Sequence, residues 1–127
     1  MGAFTTAYVA GGRFDKPFMP TKKDPFIKGI RVRVSGSDPL VTELYNVPKD
    51  AELVSLAIAC SRYDDNDHWS FYINGKQVCD SIYTKELPEG LFFTVIIPLN
   101  QGDELRFDFH NVSQTTKSVW LNYQMLT

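Results

Sequence analysis

Along most of this chain apolar and polar residues alternate with a period of two, the signature of strands with one buried face. The clearest stretch is Trp69-Ser-Phe-Tyr-Ile-Asn-Gly-Lys-Gln-Val78, where Trp69, Phe71 and Ile73 alternate with Ser70 and Tyr72. Asn74-Gly75 supplies two residues that tolerate positive φ, as a two-residue type I′ turn requires. The pattern therefore predicts a hairpin whose return strand runs from Lys76 to about Tyr83.

The same reading predicts strands over Phe4 to Val9, Ile30 to Val34, Val41 to Val47, Val54 to Ser61, Leu105 to Phe109 and Val119 to Met125. Leu91 to Leu99 is nearly continuous in apolar residues, with Phe93, Val95, Ile97 and Leu99 on one face and Phe92 and Ile96 on the other, as in a strand buried on both sides. Lys49-Asp-Ala-Glu52 has some helical propensity but is too short to be more than a turn. The fold class expected is all-β: a single antiparallel β-sandwich over residues 1–127, jelly-roll-like, with about eight or nine strands and no significant helix. Trp69, Phe71, Ile73, Phe93, Val95, Ile97, Leu105, Phe107 and Phe109 are its expected core.

One segment breaks the pattern. Residues 13–26 place Pro17, Pro20 and Pro25 among Phe14, Phe18, Met19 and Phe26, and proline removes donors that a central strand must have. An irregular arm is expected, lying across its own sheet or docking on a neighbouring subunit through Phe14, Phe18, Met19 and Phe26.

Composition narrows the function classes. A chain of 127 residues with nine Phe is long enough for one core without staples. A net charge of −2, with Lys and Arg scattered, argues against a nucleic-acid partner. No apolar run is long enough to span a bilayer, and the N-terminal residues lack the pattern of a signal peptide, so a soluble protein with no membrane partner is expected. Cys60 and Cys79 lie in different expected strands and are read as free, buried thiols.

Chemistry is sparse. Asp64-Asp65-Asn66-Asp67 gathers oxygen donors suited to Ca²⁺, but lacks EF-hand spacing and is read as a solvated loop, so no metal or cofactor is expected. His68 beside Asp67, and His110 beyond Asp108, have no Gly-x-Ser-x-Gly or Cys partner, and no catalytic residue is assigned. The aromatics Tyr63, Tyr72, Tyr83 and Trp120 are a platform that a carbohydrate-binding module would use, with Asp65, Asn66 and Asn122 taking hydroxyl hydrogens. Core packing and a subunit interface are the competing readings of the same aromatics.

The segment Asp67-His-Trp-Ser-Phe-Tyr-Ile-Asn-Gly-Lys76, with Ile82-Tyr-Thr-Lys-Glu-Leu-Pro-Glu-Gly90, Gly102-Asp-Glu-Leu-Arg-Phe107 and Val119-Trp-Leu-Asn-Tyr-Gln-Met-Leu126, resembles small β-sandwich proteins of tailed bacteriophages and prophages. The resemblance covers the second half of the chain and implies a non-enzymatic virion component, made in the host cytoplasm, in capsid decoration or in a tail or adhesion structure. Its partners would be copies of itself, other virion proteins and, in the carbohydrate-binding alternative, a cell-surface glycan used for host attachment. No individual site residue comes with the resemblance.

Overall fold

The computed structural model describes residues 7–9, 12–14 and 19–127. Two short strands, β1 (Ala7–Val9) and β2 (Gly12–Phe14), pair antiparallel. Eight more follow: β3 (Pro25–Val34), β4 (Leu40–Asn46), β5 (Ala51–Cys60), β6 (His68–Ile73), β7 (Lys76–Tyr83), β8 (Glu89–Leu99), β9 (Glu104–His110) and β10 (Lys117–Leu126). They form two four-stranded antiparallel sheets, the first in the order β3-β10-β5-β8 and the second β4-β9-β6-β7. Among these eight strands the β6–β7 hairpin alone joins neighbours within a sheet; every other connection crosses from one sheet to the other.

The core lies between the sheets, and the alternation explains how it fills. Val32 and Val34, Leu56 and Ile58, and Val119, Leu121, Tyr123 and Met125 face inward from the first sheet; Trp69, Phe71, Leu105, Phe107 and Phe109 meet them from the second. Trp69 lies 5.6 Å from Phe107, and Phe71 lies 5.7 Å from Tyr123, spacings at which tilted rings attract beyond their buried area. Of the expected core, Ile73, Phe93 and Ile97 pack against this cluster only partly buried, and Val95 is half-buried at the sandwich edge.

The hairpin forms as its residues dictate. Ile73 pairs with Lys76 across Asn74 and Gly75, whose φ values are +50° and +82°. Asn74 is also tied to β9, donating from Nδ2 to Asp103 and accepting the Glu104 amide at Oδ1. Gly75→Val puts a β-branched residue at positive φ and should cost about 1–3 kcal/mol, read as a lower urea midpoint with an unchanged m value.

Three expectations need correction. Phe92 is 74% exposed, whereas Ile96 is buried as expected: β8 is an edge strand whose outer face is open at Phe92. Pro25 and Phe26 belong to β3, and Gly12 to Phe14 to β2, so the irregular segment is shorter than residues 13–26. Proline is accommodated at Pro25 because it is the first residue of an edge strand. Phe26 packs against its own core, with the Lys49 ammonium 5.5 Å over its ring, and is not offered to a neighbour. Met19 is exposed, while Phe18 and the side chain of Phe14 lie outside the described residues. Just beyond Met19, the Thr21 and Lys22 amides donate to the buried Glu52 carboxylate, fastening this end of the segment to the outer side of the first sheet.

Candidate functional site

The residues expected to form one sugar-binding platform are divided among three places. Tyr63, Asp65 and Asn66 are exposed in the β5–β6 loop, Tyr72 faces outward from the second sheet, and Trp120 and Asn122 face outward from the first. Alternation tells which side of a strand a residue occupies; it does not tell which sheet the strand joins.

Two of the loop carboxylates, Asp64 and Asp67, are committed to local structure. Asp64 accepts the Asn66 amide, closing an Asx turn. Asp67 turns inward, fully buried, to accept the Ser113 amide and hydroxyl at 2.8 and 2.9 Å and to pair with the buried ammonium of Lys117. Burial pushes the Asp67 carboxyl up, but the Lys117 and Ser113 hydrogen bonds outweigh it and hold the group below its ordinary value. Through Ser113 and Lys117, Asp67 latches the loop after β9 and the start of β10 to the entrance of β6. Among the described residues no three His, Cys, Asp or Glu side chains are grouped to hold a metal ion.

On the outer face of the second sheet, strand register assembles a set of residues far apart in the chain. One row runs Leu40, His110, His68, Tyr83, the next Thr42, Asp108, Ser70, and a third Leu44, Arg106, Tyr72, Gln77. His68 and His110 stack with centroids 4.5 Å apart, and Tyr83 tilts over His68 at 4.9 Å. Burial and the neighbouring His68 depress the His110 pKa, with Asp108 opposing them. Arg106 lies 4.0 Å over the Tyr72 ring and Gln77 donates to the Tyr72 hydroxyl, so one face of this tyrosine is already covered. Thr42 donates to Asp108 at 2.8 Å. Neither imidazole is hydrogen-bonded to a serine, a cysteine or a carboxylate among the described residues; His68 Nδ1 meets the Asn66 carbonyl. The edges of this face expose Leu40, Leu44 and Tyr83.

The outer face of the first sheet is different. Its rows run Ile27, Gln124, Ser55, Phe92; then Gly29, Asn122, Ala57, Gly90; then Arg31, Trp120, Ala59. Ile27, Phe92 and Trp120 stand exposed, and small residues lie between them. A crevice of 470 Å³ also opens between the edge strands β7 and β8, lined by Ile73, Val78, Phe93, Val95 and Pro98. The thiols of Cys60 and Cys79 are free, and burial pushes both up to about 11, with Lys117 lowering and Asp67 raising Cys60.

A family model described as a domain of unknown function, DUF8551, matches residues 22–127. The chain belongs to the DUF8551 family. The matched region begins just before β3 and contains all eight sandwich strands. No curated protein matches the chain. Among solved structures, that of dimeric latent PorU from Porphyromonas gingivalis is similar at 12% identity and a TM-score of 0.36, over 82% of this chain and 13% of that one. This DUF8551 chain thus spans about an eighth of the length of that protein.

Among the described residues no helix is long and apolar enough to cross a membrane.

Proposed function

We propose that this DUF8551 domain is a non-enzymatic interaction protein of a bacteriophage or prophage virion, serving in capsid decoration or in a tail or adhesion structure. The strand orders β3-β10-β5-β8 and β4-β9-β6-β7 support a jelly roll, an architecture built from two Greek keys. The observation that carries the reading is the outer face of the second sheet, where Leu40, Leu44 and Tyr83 stand exposed around stacked imidazoles and an Arg106–Tyr72 pair. Aromatic and arginine side chains held in place on a sheet, with apolar residues beside them, are the composition of a protein interface. Copies of the chain and neighbouring virion proteins are the partners in this reading, which the resemblance of the second half to phage sandwich proteins also supports. The test is mass spectrometry of particles purified from cells that make the protein. Stoichiometric presence is expected; absence from the particles overturns the virion assignment.

A second reading, carbohydrate binding for host attachment, is favoured by one observation on the opposite sheet: Trp120 is 41% exposed beside Asn122 and small residues. The two readings use different faces and are compatible in an adhesion component.

A further inference from the structure

Strand interiors rarely spend positions on glycine, because it adds backbone entropy cost and no packing. In one row on the outer face of the first sheet, glycine occurs once inside a strand, at Gly29, and once as the second residue of a strand, at Gly90. Gly29 on β3 and Gly90 on β8 stand at its ends, with Asn122 and Ala57 between them. Neither glycine has a positive φ, so turn geometry explains neither. At Gly90 an added Cβ would meet nothing within 4 Å, so packing within the chain does not require glycine there. At Gly29 a Cβ would come within 3.0 Å of Asn122 Oδ1: the absent side chain is what lets the Asn122 amide lie across β3.

The result is a trough crossing four strands. Gly90, Ala57 and Ala59 leave its floor bare, Trp120 stands at one side, and Phe92, 74% exposed, stands at the other. At about 4.8 Å between strands, three gaps give a length of roughly 14 Å, and rows on one face are about 7 Å apart along each strand. A bare floor of this kind suits a second sheet poorly, since packed sheets interdigitate large side chains across about 10 Å. It suits a thin, extended, ring-bearing ligand that comes down onto the backbone.

The polar groups are of matching type. Asn122 and Gln124 present amides, Gln124 is oriented by the Ser55 hydroxyl, and Arg31 is the cross-strand neighbour of Trp120. The carboxylate on this face, Glu52, is buried and accepts hydrogen bonds from Thr21 and Lys22.

We infer that this trough binds a linear glycan lying across the strands, with one sugar ring stacked on Trp120 and its hydroxyls hydrogen-bonded by Asn122, Gln124 and Arg31. The inference rests on the carbohydrate reading above and gives it a site and a ligand shape: an unbranched chain, because a branch pointing downward would strike the Ala57–Gly90 floor. Trp120 is also the reporter. The other tryptophan, Trp69, is fully buried, so a change in indole emission on titration reads the trough.

The experiment titrates the full chain with β-1,4-linked oligosaccharides of glucose and of N-acetylglucosamine, and with soluble bacterial cell-wall polysaccharide, following tryptophan emission and heat of binding. Saturable binding to at least one of them is expected, weakened tenfold or more in both Gly90→Phe and Trp120→Ala. Gly90→Phe is the decisive variant, because its side chain enters open space and should leave the melting temperature unchanged while filling the floor. Sugar binding that survives Gly90→Phe but is lost in Tyr83→Ala overturns the trough and moves the carbohydrate site to the second sheet. No binding to any of these glycans at millimolar concentration overturns the trough and the carbohydrate reading together.

Discussion

Replacing Asp67 by Ala should destabilise the domain by about 3–5 kcal/mol, a large part of the roughly 5–15 kcal/mol that holds a small domain together. The cause is what remains behind. The Lys117 side chain is 0% exposed, and without its partner it is a buried ammonium with only the Ser113 hydroxyl within hydrogen-bond reach among the described residues. Desolvation of an unpaired charge then goes uncompensated. The double variant Asp67→Ala, Lys117→Met removes both charges and should recover most of the loss in urea unfolding. Because the Asp67 pKa is held below the unfolded value of 3.8, the contribution of the carboxylate is fully present above that value. It is lost as the pH falls through the folded pKa. Acid should therefore destabilise the native chain more steeply than the double variant in this range, as measured by urea midpoints between pH 2 and pH 5.

The second large effect belongs to the aromatic core. Phe107 is completely buried between Trp69, at 5.6 Å, and Phe109, at 6.5 Å, on the central strand β9. Phe107→Ala removes the ring and leaves a cavity between two sheets whose backbones are fixed by their ladders. A loss of about 3–5 kcal/mol is expected, with a melting temperature lower by roughly 10–20 °C in calorimetry. Phe92→Ala, by contrast, removes a ring that is already in water and should change stability by less than about 0.5 kcal/mol. The two variants test where the alternation in β8 and β9 points.

That contrast also shows what a one-dimensional pattern contains. Asn74-Gly75 specifies a turn by its own backbone preferences, so the hairpin was readable locally, down to its return strand at Lys76–Tyr83. The inward row Leu105, Phe107 and Phe109 was readable for a similar reason, since alternation marks a buried face wherever one exists. Phe92 was misjudged because a run of apolar residues looks the same in a central strand and in an edge strand; only the sheet order separates them. Asp67 was invisible as a structural anchor: it sits in the most polar loop of the chain, and Lys117 lies fifty residues away. Its one clue was the run of loop carboxylates, which pointed toward solvent or a cation instead.

The candidate site was hidden more deeply. His68 and His110 are 42 positions apart and become neighbours only through the β6–β9 register, which no local signal encodes. Trp120 and Tyr72 were individually recognisable as outward-facing aromatics, yet they lie on opposite outer faces of the sandwich. Gly29 and Gly90 stand immediately before the apolar patterns of Ile30 to Val34 and Leu91 to Leu99, where a glycine reads as turn punctuation, so the row they share is set by register and carries no local signal.

The claim that this domain works by packing its second sheet against other protein is tested most directly by its mass in solution. Light scattering of the full chain at micromolar concentration should give a multiple of 14.5 kDa, and Leu44→Glu, which puts a charge on the exposed apolar edge of that face, should return the mass to 14.5 kDa. A native chain that scatters as 14.5 kDa throughout this range would contradict the account.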